Sequence, residues 1–316
     1  MTLATCLKIL TNNKVALFIL SILRDIRYVF KVAFLTITNQ ASLRKPIILN
    51  EGAKKTPIIL VHGSGGTQLE WIESIPYIEK YLPDHPIYAF SLDYIFDIQT
   101  EQQTSALRIH SIEQYAERLS GCINWVLNQT YYNEQERKQV CLIGHSMGGL
   151  IASYYAKNLA SNLNINSSIN SSIDSSINSS INSSIDSNLN HNLNRNITVN
   201  VFSISSPYGG APLLNYKIFK TILNTTRHKQ MTPKSEFLTN LTSDIKEQYS
   251  IDSKKRIVNC RTITFGSEQD IHVPDSYAKS SDANYTHITC NGYGHFSIVS
   301  AEKIWKAISN LLTREF

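Results

Sequence analysis

The chain has 316 residues, 42% of them apolar and 17% charged, with a formal net charge of +5. That length suits one large α/β domain with insertions, and the apolar share is enough for a substantial core. Residues 1–50 carry seven bases against one acid, a local +6. The rest is therefore close to neutral and offers no general nucleic-acid surface.

The first element is a greasy segment within residues 1–40. Val15 to Leu23 contains one polar residue, Ser21, and charges then arrive at Arg24, Asp25, Arg27 and Lys31. A clean spanning run of about 20 apolar residues is missing. On a helix, Lys14, Ser21, Arg24, Arg27, Tyr28 and Lys31 fall near one side. A wide apolar face with a narrow basic stripe suits a helix lying in a membrane interface, so membrane association is expected. The alternatives are a helix buried against the domain and a secretory signal, although no small-residue cleavage site follows. As an anchor, residues 1–38 should be dispensable for hydrolysis of a soluble substrate.

Strands and helices then alternate, which predicts a mostly parallel sheet flanked by helices. Pro57 to His62 and Ile87 to Leu92 read as short apolar strands. Residues 111–128 have helical period, with Ile112, Tyr115, Ala116, Leu119, Ile123, Val126 and Leu127 on one face. Val140 to Ile143 is a strand running into Gly144-His-Ser-Met-Gly148, and Leu150 to Leu159 reads as the helix that follows. A serine at the centre of Gly-x-Ser-x-Gly between strand and helix sits on a tight elbow that holds its hydroxyl clear of the sheet.

Residues 162–196 repeat Ser-Ser-Ile-Asn/Asp with isoleucines in phase at 165, 169, 173, 177, 181 and 185. One isoleucine in four cannot offset the ordering entropy of so polar a chain, so a disordered low-complexity insertion is expected. Thr198 to Ile204, Arg261 to Phe265 and His287 to Cys290 are further strands, and Ala301 to Leu312 is a closing amphipathic helix. Residues 213–250 mix apolar and basic side chains and read as a cap or lid. The five cysteines are widely spaced and form no Cys-x-x-Cys pattern. No metal site is expected from them. Cys141 reads as a core residue, and Cys260 and Cys290 are the pair a single disulfide would join.

A serine hydroxyl becomes a nucleophile only with a base in reach, and the base needs an orienting carboxylate. On this architecture the chain order is Ser, acid, His. Downstream of Ser146, Asp270 follows a late strand and His295 lies in a Gly-rich turn after the last one. Glu268 and Asp275 are rival acids. His287 is a rival base, although its place in a strand favours a structural role, and His145 reads as a packing residue beside the sheet. The oxyanion needs two waiting N–H donors. Met147, after the nucleophile, supplies one, and Ser64 in His62-Gly-Ser-Gly-Gly66 supplies the other.

With these residues the chain resembles the α/β-hydrolase superfamily, in the lipase and esterase branch that includes inositol-deacylase-like hydrolases. The resemblance covers residues 56–312. It rests on Val61-His-Gly-Ser-Gly-Gly66, Gly144-His-Ser-Met-Gly-Gly149, Ser205-Ser-Pro-Tyr-Gly-Gly-Ala211, and Gly266-Ser-Glu-Gln-Asp270 with Gly294-His295. Tyr208 stands where such lipases carry a histidine, and Gln230 to Leu241 is similar to a further segment of the branch. The resemblance implies hydrolysis of a carboxylic ester, lipid-like in view of the N-terminal segment, through an acyl-enzyme formed by Ser146, His295 and Asp270. It implies no cofactor. An acyltransferase or thioesterase would use the same triad. A non-catalytic adaptor would lack one of these parts, and all are present.

Overall fold

The computed structural model describes residues 13–38, 43, 45–97, 102–104, 111–130, 139–161, 198–216, 224–243, 260–280 and 285–314. The repeat expected over 162–196 lies outside them. The strands in chain order are β1 (Ile47–Leu49), β2 (Ile58–Val61), β3 (Ile87–Phe90), β4 (Ile95–Asp97), β5 (Gln102–Thr104), β6 (Gln139–His145), β7 (Thr198–Ile204), β8 (Cys260–Gly266) and β9 (Thr286–Thr289). The helices are α1 (Lys14–Thr38), α2 (Ile75–Tyr81), α3 (Ile112–Thr130), α4 (Met147–Ser161), α5 (Thr226–Gln230), α6 (Glu236–Thr242) and α7 (Glu302–Arg314).

Seven strands form one sheet in the order β1-β3-β2-β6-β7-β8-β9, and β4 and β5 pair separately. Only the edge strand β1 runs antiparallel; every other pairing in the large sheet is parallel. The mostly parallel sheet read from the sequence is thus present, with β1 and the β4–β5 ribbon added. These three are three-residue strands, too short to leave a periodic signal.

Period-2 alternation sorts the central strands between two apolar layers. Ile59, Val61, Val140, Leu142, Val199 and Val201 meet α3 and α4 on one face. Ile58, Leu60, Cys141, Ile143, Phe202 and Ile204 meet α2 and α7 on the other. Strands covered on both sides need apolar residues at every position, which is why they read as unbroken runs. Cys122, Cys141 and Cys290 are buried free thiols, so the Cys260–Cys290 disulfide weighed above does not form. Cys290 is a small residue in the layer under α7, and its burial pushes the thiol up to about 11.

α1 packs on the domain by its polar side. Tyr28 and Ser21 are buried, and the Tyr28 hydroxyl donates to the backbone carbonyl of Glu70. Arg27 and Lys31 both reach the Glu73 carboxylate, at 2.9 and 3.0 Å. The apolar side faces out: Leu23 is 58% exposed, Phe30 73%, Phe34 65% and Ile37 74%. The basic stripe that was expected to meet a membrane interface is therefore largely engaged with the protein. Among the described residues no helix is long and apolar enough to cross a membrane.

Candidate active site

The carboxyl ends of parallel strands are where an open α/β sheet presents its loops to a ligand. Ser64 follows β2, Ser146 follows β6, Asp270 follows β8 and His295 follows β9. Four residues far apart in sequence therefore emerge on one edge of the sheet.

Ser146 sits between the last residue of β6 and the first of α4 at φ 52°, in the left-handed region that a non-glycine residue rarely adopts. Its amide donates to the Ile204 carbonyl at 2.9 Å, which ties the elbow to β7. Gly144 and Gly148 permit the close approach: a Cβ on Gly144 would collide with the backbone of Gly148 and Gly149, and one on Gly148 with the carbonyl of Val61. The partial positive charge at the start of the 15-residue α4 lies directly behind the hydroxyl.

Ser146 Oγ lies 2.9 Å from His295 Nε2, and His295 Nδ1 lies 2.8 Å from Asp270 Oδ2. The other oxygen of Asp270 accepts from the amides of His272 and Val273 at 2.9 and 2.8 Å. Burial by itself would raise the Asp270 carboxyl, but the adjacent His295 imidazole and these donors outweigh it and hold it below the usual range. An ionised Asp270 accepts a hydrogen bond from Nδ1–H, leaving Nε2 free to accept from the serine hydroxyl.

The rival residues are occupied elsewhere. His287 lies between Asp275, at 2.9 Å from Nε2, and the Thr264 hydroxyl, at 2.7 Å from Nδ1. Glu268 is exposed and lies 3.9 Å from Lys14.

The loop after β2 is held from two directions. His62 Nε2 accepts from the Leu92 amide at 2.8 Å, so its Nδ1 carries the proton and donates to the Gly63 carbonyl at 2.8 Å. Glu70 accepts from the Gly63 amide, at 3.2 and 3.1 Å to its two oxygens. Gly63 lies against Ser146, where a Cβ would come 3.1 Å from Ser146 Cβ. Ser64 is the next residue of this loop. Met147 is the first residue of α4, where backbone N–H groups lack a partner within the helix.

His145 was expected to pack beside the sheet, and here the structure differs. Its Nδ1 lies 2.6 Å from Glu70 Oε1 and its Nε2 lies 2.8 Å from the backbone carbonyl of His295. A carbonyl can only accept, and a carboxylate that accepts from Gly63 also accepts, so both ring nitrogens of His145 donate. With Glu70 ionised, His145 is the protonated partner of a buried carboxylate. Burial opposes both charges, yet the pair prevails: Glu70 raises His145, and His145 lowers Glu70. Glu70 left no sequence motif; it lies eight residues after His62, in a short 3-10 turn (Gln68–Trp71).

Tyr208, at the position of the histidine in similar lipases, is buried with its hydroxyl 2.5 Å from Ser153 on α4 and 2.6 Å from Ser203 on β7. It fastens α4 to the sheet. Within the expected cap, α5 and α6 pack beside the site: His228 Nε2 lies 3.5 Å from the Ser64 hydroxyl, and Phe237 stacks on Tyr154 at 5.8 Å. Among the described residues no cluster of His, Cys, Asp and Glu could hold a metal ion.

The parallel sheet, the elbow after β6 and the loops at the carboxyl ends of its strands define an α/β fold that gathers a serine, a histidine and an aspartate at one end of the sheet. The chain belongs to the PGAP1-like alpha/beta domain family, whose model matches residues 53–311. No curated protein sequence matches it. Among solved structures it is similar to a lipase-esterase related protein from Clostridium acetobutylicum, at 16% identity and TM-score 0.46, covering 87% of this chain and 100% of that one. It is also similar to a bromoperoxidase from Bacillus anthracis, at 12% identity and TM-score 0.48, covering 85% and 95%. A thermophilic esterase from Thermogutta terrifontis matches at 14% identity and TM-score 0.45, covering 85% and 92%. Likeness at this level decides nothing about substrate.

Proposed function

We propose that the protein is a serine hydrolase of carboxylic esters, acting on a lipid-like substrate at a membrane surface. The observation that carries the reading is the continuous hydrogen-bonded line from Ser146 Oγ through the His295 imidazole to Asp270. In the first half-reaction Ser146 Oγ bonds to the ester carbonyl carbon while His295 Nε2 takes the hydroxyl proton. The amides of Ser64 and Met147 meet the oxyanion. Collapse breaks the ester C–O bond, and His295 returns the proton to the departing alcohol. Water then attacks the acyl-enzyme by the same proton route, releasing the acid and restoring Ser146. Asp270 stays ionised and holds the imidazole in the required tautomer.

The lipid-like substrate and the membrane rest on α1. Its outward face is apolar along a helix of about 37 Å, from the 1.5 Å rise per residue. Lys14 near its start keeps 88% of its side chain in solvent, where acidic headgroups would meet it. α1 also contacts the turn that carries His295, so a surface beneath it lies close to the site.

The direct test is release of p-nitrophenol from short- and long-chain acyl esters by wild type and Ser146→Ala. Activity that depends on Ser146 and favours long chains supports the reading. Equal rates from the two proteins would remove it.

A further inference from the structure

An anchor whose only task is attachment needs no contact with catalytic groups, but α1 grips the turn that carries His295. Asp25 Oδ1 accepts from both the amide and the hydroxyl of Ser297, at 2.8 and 2.6 Å. The same Ser297 hydroxyl lies 3.1 Å from the Gly294 amide, which donates to it. Gly294 abuts the Asp25 carboxylate so closely that a Cβ there would collide with it. The neighbouring Arg24 donates to the Gly292 carbonyl and lies over the Tyr293 ring, 4.6 Å from its centroid. Two adjacent side chains of α1 therefore engage positions 292, 293, 294 and 297, on both sides of the base.

From the domain side the turn is held by the Ser267 hydroxyl donating to the Tyr293 carbonyl at 2.7 Å, by the Gly292 amide donating to Gln269 Oε1 at 2.7 Å and by His145 donating to the His295 carbonyl at 2.8 Å; Asp25 and Arg24 hold it from the side of α1. β9 ends at Thr289, and the chain must reverse through Gly292 at φ 92° before α7 begins. Glycines at 292 and 294 give this stretch wide backbone freedom. A histidine that must meet Ser146 and Asp270 at once tolerates little displacement.

We propose that Asp25 is a positioning residue for His295, which makes α1 a working part of the active site and not a detachable tether. This rests on the serine-hydrolase reading above and extends it to the N-terminal helix. Asp25 touches no substrate; it acts by holding Ser297 and Gly294, and through them the imidazole. Residues 1–38 are then not dispensable even for a soluble ester.

The test uses the full chain with p-nitrophenyl butyrate and compares wild type with Asp25→Ala, Asp25→Asn, Arg24→Ala and Ser146→Ala. Asp25→Ala is expected to lower kcat by about ten- to a hundredfold, the cost of a misplaced catalytic group, while KM moves less than about twofold. Asp25→Asn, whose side-chain oxygen still accepts from Ser297, should recover most of the rate. Arg24→Ala should fall between wild type and Asp25→Ala, and it decides the matter if Asp25→Ala does not fold. A second readout is independent of turnover: the low-field proton resonance of the His295 Nδ1–H bonded to Asp270, assigned by its loss in His295→Ala. It should broaden or shift in Asp25→Ala and recover in Asp25→Asn. Wild-type kcat and an unchanged resonance in folded Asp25→Ala or Arg24→Ala would overturn the proposal. If Ser146→Ala were as active as wild type, the hydrolase reading would fail on its own, and the resonance would still decide whether Asp25 holds the imidazole.

Discussion

His145 donates from Nε2 to the backbone carbonyl of His295 at 2.8 Å, so the residue beside Ser146 supports the main chain of His295. Its other nitrogen is paired with Glu70, which binds the Gly63 amide next to Ser64. One buried ion pair therefore links the loop after β2, the elbow and the histidine turn. The two rings lie 4.9 Å apart.

Breaking this pair from one side strands a buried charge. His145→Leu should destabilise the fold by about 3–5 kcal/mol, the usual penalty for an orphaned buried partner. Urea denaturation measures it. A loss below about 1 kcal/mol would mean that Glu70 and His145 are not charged together.

Asp270→Asn should leave the fold intact and lower kcat by about 10³–10⁴-fold, because an amide that donates toward Nδ1 imposes the wrong imidazole tautomer. Steady-state kinetics on a soluble ester, with circular dichroism to verify folding, checks it. A loss of less than about tenfold would show that another acid orients His295.

The pH dependence of stability follows from three buried groups. Asp270 and Glu70 are held below their usual values, so their contributions are present above the unfolded carboxyl range of about 4 and are lost as pH falls through the folded values. His145 is held above its usual value, so its contribution is complete below about 6.5 and is lost as pH rises through the folded value. Melting temperature against pH should therefore rise from acid, level off, and decline on the alkaline side. In His145→Gln the alkaline decline should flatten, and an unaltered decline would assign it to other groups.

Tyr208→Phe removes the hydroxyl shared by Ser153 and Ser203 without touching the triad. Stability should fall by about 1–3 kcal/mol, the cost of leaving buried polar groups unpaired, while kcat on a soluble ester stays near wild type. A large loss of kcat at unchanged stability would give Tyr208 a role in the chemistry.

The outward face of α1 makes the membrane reading testable apart from catalysis. Phe30→Glu with Phe34→Glu should abolish sedimentation with vesicles of mixed neutral and acidic phospholipid, with the soluble-ester rate unchanged. Retained vesicle binding would refute the docking face. Loss of a concentration-dependent dimer in the same variant would assign that face to a second copy of the chain.

Much of the sheet was legible because each central strand is covered on both sides. Burial there demands continuous apolar runs, and β2, β3, β6 and β7 stand out as such. α3 and α7 were legible from their 3.6-residue period. β1, β4 and β5 were not, since three residues carry no period. Glu70 escaped notice because its partners, His145 and the Gly63 amide, are met through folding and not through spacing. The same holds for Asp25, which lies 272 positions from Ser297.

By itself the sequence determined the local devices: the elbow around Ser146, the glycines that allow it, and the order serine, acid, histidine along the chain. These are short-range steric and chain-order constraints, and the residues that express them are neighbours or follow the strands of a parallel sheet. Which way α1 turns was decided only by tertiary structure. An amphipathic pattern defines two faces but not which one meets the protein, and here hydrogen bonds donated by Arg24 and Tyr28 and accepted by Asp25 tie the polar face to the domain and leave the apolar face outside. The charge state of His145 was decided the same way, because it depends on what the fold brings to each of its two nitrogens.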